Sequence, residues 1–161
     1  MTKNLESAGQ KLLSTWQKLA NKPFGKWIFK QIIAKNIPYT GSIKADVQML
    51  KPGRCEALLK FRHSNTNHLS SVHALALSNL GELTSGLAMM TGLPSHIRGI
   101  VTHINTSYLK KARGDLMAIS EVEIPTISEP KTTHEVHTNI YDQDNDLVST
   151  VTVQWLLSPK H

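Results

Sequence analysis

Glu82 is the only Asp, Glu, Lys or Arg between Arg62 and Arg98, and its neighbours include Leu80, Leu83, Leu87 and Met90. Burying a carboxylate without partners is costly or raises its pKa, which is the state a base or nucleophile needs in a water-poor cleft. The same group could instead be satisfied by Ser78 or Ser85, four before and three after it on one helical face. Upstream, the polar run from Asn67 to His73 ends where a long apolar helix must begin. Peptide N–H groups at a helix start have no intrahelical acceptor and lie at the positive end of the dipole. Those near His73 and Ala74 could therefore hold a developing oxyanion, with Asn67 and His73 as further polar groups. His73 could equally be a cap or a core histidine.

Other chemistries find less support. His134 and His137 are an odd number apart on a strand and so face opposite sides, which rules out a shared metal. The turn Asp142 to Asp146 begins like a calcium loop, but Leu147 replaces the glycine and Val153 the closing glutamate, so a solvated hairpin turn is expected. No phosphate-cradling glycine loop, nucleophile-elbow serine or paired-cysteine motif is present. The single cysteine, Cys55, cannot form an internal disulfide, and it alternates with Ala57, Leu59 and Phe61 as an inert core thiol would. No metal or resident cofactor is expected.

The elements that must place Glu82 follow from periodicity. Val72 to about Met90 is too long and too rich in Leu, Ala and Met for a strand; Ser70 or Ser71 could cap it, and Gly92-Leu93-Pro94 stops it. Ile43, Ala45, Val47 and Met49 alternate with polar residues, and Lys51-Pro52-Gly53 turns the chain into a second strand around Cys55. Four more alternating segments are expected at about 99–110, 114–124, 131–141 and 147–157. Strands joined by short turns predict an antiparallel meander, and a helix apolar nearly all round must be buried against it. The fold class is α+β: a curved antiparallel sheet of about six strands wrapped around one central helix.

With 161 residues, 40% of them hydrophobic, the chain suits one globular domain. No apolar run approaches a membrane span, and no secretory core precedes the body, so a cytoplasmic protein is expected. The net charge of +6 resides in residues 1–41, which hold seven lysines and one acid, whereas residues 42–161 are balanced. A basic stripe confined to one end, without groove-reading elements, argues against nucleic acid. Leu5, Ala8, Leu12, Leu13, Trp16, Leu19 and Ala20 form one helical stripe, and Phe24, Trp27, Ile28, Ile32 and Ile33 begin a second after Asn21-Lys22-Pro23. Residues 1–41 are thus a basic amphipathic helical segment and 42–161 the main domain. The stripes are expected to cover the body or a partner subunit; peripheral membrane contact is the disfavoured alternative.

Asn67, His73 and Glu82 in this register resemble the hotdog-fold acyl-CoA thioesterases, most of all the phenylacetate-pathway and glutamate-using 4-hydroxybenzoyl-CoA thioesterases. Tyr108-Leu-Lys-Lys-Ala-Arg-Gly-Asp115 is similar to that family's connection between strands, and Pro38-Tyr39-Thr40-Gly41-Ser42 and Asn67-His68-Leu69 resemble a less characterised bacterial branch. The resemblance implies hydrolysis of an acyl-CoA or acyl-carrier thioester, with Glu82 as base or nucleophile, the Ala74 N–H polarising the carbonyl and Asn67 orienting water or carboxylate. It further implies substrate contacts from Ser78, Ser85, Lys110, Lys111 and Arg113, and a homodimer or tetramer with sites shared between subunits. In this chain Ala74-Leu75 replaces the family's glycine pair after the histidine, and Gly86 a threonine. Two other readings share the fold: an acyl-thioester-binding protein without turnover, and a dehydratase using His68 with Glu82.

Overall fold

The computed structural model describes residues 7–127 and 130–160. Two helices open the chain, α1 (Ala8–Leu19) and α2 (Gly25–Asn36), followed by a single turn, α3 (Pro38–Gly41). Strands β1 (Asp46–Lys51) and β2 (Arg54–Leu59) form a hairpin, a loop leads into α4 (Ala74–Met90), and β3 (Ile97–Tyr108), β4 (Leu116–Glu121), β5 (Thr132–Tyr141) and β6 (Leu147–Pro159) complete the sheet.

All six strands form one antiparallel sheet in the order β1-β2-β4-β5-β6-β3. A simple meander would set β3 beside β4. Instead α4 carries the chain across the sheet and delivers β3 to the far edge, where it pairs with β6 along its whole length; β4 then returns to pair with β2. The hairpin β1-β2, with six residues in each strand, is thereby extended by β4 on its inner side, and β3 is left with one neighbour.

The inward faces of the strands bury Cys55, Ala57, Leu59, Leu116, Ala118, Val136, Ile140, Val151, Val153 and Leu157 against Leu77, Leu80, Leu83, Leu87 and Met89 of α4. Burial raises the Cys55 thiol pKa, which keeps it protonated and inert, whereas Phe61 lies beyond the strand end and is partly exposed. α4 approaches β6 so closely that a methyl group on Gly81 would overlap Cβ and both Cγ atoms of Val151, and the Thr138 hydroxyl donates to the Gly81 carbonyl at 3.1 Å. Only glycine fits there.

α1 starts at a capping box of Ser7 and Gln10 and lies against the end of α4, where a side chain on Gly9 would overlap the Met90 carbonyl. Its Trp16 stacks edge-on against Phe29 of α2 at 5.1 Å between centroids, and both are buried with Ile33. One face of each N-terminal helix therefore covers the body. Leu5, expected on the α1 stripe, lies outside the described residues. No helix among the described residues is long and apolar enough to cross a membrane.

Candidate functional site

Ten residues of α4 are buried, and those that keep some exposure, Ala74, Leu75, Ser78, Asn79, Glu82, Gly86 and Met90, run along one side at helical spacing. Two clefts follow this stripe. The first, about 400 Å³, is lined by Tyr39, Thr40, Leu75, Ser78, Asn79, Glu82, Val101 and Ile104. The second, about 170 Å³ and mostly apolar, runs beneath α1 between Leu12, Ile37, Leu83, Gly86, Leu87, Met90 and Trp155, and shares Glu82 with the first. The carboxyl thus stands where the two meet.

Burial pushes the Glu82 pKa up, and the hydroxyl of the buried Thr40 beside it works in the opposite direction. No cation pairs with Glu82 among the described residues. Nor do the two serines satisfy its carboxylate. Ser85 is fully buried and donates to the Glu82 backbone carbonyl at 3.0 Å, which removes it from substrate contact. Ser78 lines the first cleft, but its hydroxyl bonds the Ala74 carbonyl at 3.3 Å, Thr106 at 2.8 Å and Tyr108 at 3.3 Å.

The start of α4 differs from expectation in one respect. Its cap is His73, whose Nδ1 accepts from the Leu75 N–H at 3.1 Å, and not Ser70 or Ser71. Loop contacts hold the chain extended until His73: the Val72 N–H donates to the Ala112 carbonyl at 2.8 Å and the His73 N–H to the Asn65 carbonyl at 2.8 Å. His73 therefore has no free backbone donor. Among the described residues Ala74 N–H meets no acceptor, so it alone supplies the helix-start donor anticipated from the sequence.

Asn67 lies on a third cleft, about 340 Å³, with Leu69, Val72, Ala74, Leu77, Tyr108 and the segment Leu109 to Ala112. Its Oδ1 accepts from the Leu69 N–H at 2.9 Å and the Ser71 N–H at 3.3 Å, which spends that oxygen on the loop and leaves the amide Nδ2 as the group free to act. Lys110 and Lys111 line the same cleft. Lys110 is held by Asp142 at 2.7 Å and Asp146 at 2.6 Å; the two carboxylates raise its pKa, and Lys110 in turn lowers that of Asp142. The acidic turn is therefore stapled by a lysine as well as solvated. Arg113 lies with both lysines on an adjoining polar hollow. His68 is exposed and lines none of these clefts, so the partnership with Glu82 that a dehydratase would need is not formed in the chain.

Within one chain Ala74 and Glu82 are eight residues apart on α4, or about 12 Å along the axis. Helix-start donor and carboxylate occupy different clefts. The sequence alone gives no role to Thr40, Thr106 or Tyr108; only folding shows that Tyr108 Oη donates to the Ala74 carbonyl at 3.2 Å. His134 lies on the inward face of β5 and His137 on the outward face, bonded to Thr152, and no metal-holding cluster occurs among the described residues.

The model of a family described as a domain of unknown function, DUF4442, matches residues 25–157. No curated protein matches the sequence. Among solved structures, the structural-genomics protein APC5556 superposes with a TM-score of 0.80 at 25% identity, covering 94% of this chain and 99% of its own. A protein of unknown function and probable thioesterase from Pseudomonas aeruginosa gives 0.74 at 19% identity, over 81% of this chain and 93% of its own. A thioesterase from Haemophilus influenzae gives 0.70 at 15% identity, over 88% and 95% respectively. These likenesses establish the hotdog fold.

Proposed function

This chain belongs to the DUF4442 family, and we propose that it is a thioester hydrolase acting on an acyl-CoA or acyl-carrier thioester, with Glu82 as the reacting carboxylate. The observation that carries this reading is a half-buried carboxyl of raised pKa, without a cation among the described residues, at the junction of two largely apolar clefts. In the reaction Glu82 takes a proton from water as the oxygen attacks the thioester carbon. The resulting oxyanion is held by the Ala74 N–H, with the Asn67 amide as a second donor. The C–S bond then breaks, and the thiolate leaves with the proton that Glu82 had taken.

We assign the donor and the carboxylate of one site to two copies of the chain, because within one chain they open on different clefts. β3 supports this. It is an edge strand of twelve residues with Ile100, Ile104 and Tyr108 exposed, a liability that pairing with β3 of a second copy removes. The first and third clefts are both bounded by β3 residues, so such pairing places the Glu82 cleft of one subunit near the Ala74 cleft of the other. Lys111 and Arg113 suit the phosphates of the leaving group. The slot beneath α1 is close to the roughly 150 Å³ apolar cavity that holds benzene, and so admits an acyl tail of about six carbons.

The test is a panel of acyl-CoAs scored for thiol release, with Glu82→Gln as control. Turnover abolished in the variant and binding retained support the assignment. Binding without thiol release by the unmutated protein would identify an acyl-thioester carrier instead.

A further inference from the structure

Residues 7–41 contain six lysines and no carboxylate. The buried face of α2 presents Gly25, Phe29 and Ile33 to the body, yet the exposed face is not uniformly polar, for beside Lys26, Gln31 and Lys35 it carries Trp27 and Ile28. Phe24 is 81% exposed, Trp27 57% and Ile28 39%, three large apolar side chains within one and a half turns. Single exposed hydrophobics are ordinary; a cluster that includes two aromatics marks a contact surface.

Phe24 sharpens the point. It is the residue before α2, with φ of 58°, makes no side-chain cap, and stands in the left-handed region that disfavours a bulky residue. Asn or Gly would serve the backbone better there, so folding does not explain the aromatic. Lysines flank it in the sequence. Lys18 lies in the last turn of α1, Lys22 in the connecting turn and Lys26 in the first turn of α2, while Lys35 is exposed in its last turn. Lys18, Lys22 and Lys35 form no ion pair among the described residues; Lys30 is bound to Asp46 and Lys26 reaches Gln48 at 3.0 Å.

The occupant follows from the kinds of residue present. Protein and nucleic-acid interfaces favour guanidinium forks, and residues 1–41 contain no arginine. Lysines around protruding Trp and Phe suit a lipid headgroup layer, where ammonium groups meet anionic lipid and the rings enter the acyl boundary. α2 packs on β1, at the opposite edge of the sheet from β3, so pairing through β3 leaves this patch free. We propose that Phe24, Trp27 and Ile28 enter the interface of an anionic phospholipid bilayer while Lys18, Lys22 and Lys26 contact its headgroups, so that the protein binds membranes peripherally.

The full chain would be sedimented with vesicles of phosphatidylcholine containing phosphatidylglycerol and with vesicles of phosphatidylcholine alone. Expected are binding to the anionic vesicles only, weakening with salt, and a blue shift of Trp27 emission on binding. Phe24→Asn combined with Trp27→Ser should lower partitioning about tenfold or more while leaving thermal unfolding intact, and Phe24→Asn alone should hold or raise the melting temperature. Absence of sedimentation with anionic vesicles, or equal sedimentation of the double variant, would overturn the proposal. So would binding to an acidic carrier protein or to a nucleic acid without any vesicle binding.

Discussion

If each site takes its oxyanion donor from one subunit and its carboxylate from the other, two inactive variants should rescue one another. Glu82→Gln removes the base. For the other variant, Asn67→Asp is preferable to Ala, because Oδ1 holds the loop through the Leu69 and Ser71 N–H groups at 2.9 and 3.3 Å. Asp keeps both acceptor contacts, each worth about 1 kcal/mol, and replaces the donor amide with a carboxylate oxygen that repels the oxyanion. Ala74 and Glu82 lie about 12 Å apart along α4 and open on different clefts, which is the ground for assigning the donor and the carboxylate of one site to different subunits. In a mixed dimer one site carries both defects and the other none. Random assortment makes half the dimers mixed, so recovered activity should reach about a quarter of the unmutated value. The assay is thiol release after subunit exchange in mild denaturant, with mixed dimers quantified by differential tags. Two inactive parents, demonstrated exchange and no recovery would refute the shared site.

The raised Glu82 pKa predicts an acid limb of kcat/KM lying above the ordinary carboxylate range, absent from any residual activity of Glu82→Gln. Because the folded pKa lies above the unfolded one, charging Glu82 costs native stability. Glu82→Gln should therefore melt higher than the parent at pH above the folded pKa, and the gap should close as pH falls through the unfolded value near 4.5; an unchanged gap would contradict the burial. Gly86→Leu places a side chain in the slot beside Trp155, whose ring is already 3.2 Å from the position of an added Cβ, and should shift acyl preference to short chains. The same chain-length profile in both proteins would show that the tail lies elsewhere. Gly81→Ala should lower stability by about 1–3 kcal/mol in denaturant unfolding through overlap with Val151, despite the better helix propensity of Ala, and a stabilised variant would refute that packing.

Much of this was legible in the order of residues. A period of 3.6 in α4 and of 2 in the strands reflects which side chains share a face, and that is set by local spacing alone, so helix, strands and the anomalous carboxylate at Glu82 could be read directly. The buried state of Cys55 and the opposed faces of His134 and His137 follow from the same arithmetic. The position of β3 beyond β6 does not, because strand order depends on which distant edge is open when α4 has crossed the sheet. Nor could spacing show that the His73 N–H is spent on Asn65, that Asn67 has committed its oxygen to its own loop, or that Thr40 comes from the N-terminal segment to stand beside Glu82. A sequence records which donors and acceptors exist. Which of them remain free for a substrate is decided only when segments far apart in the chain have satisfied one another.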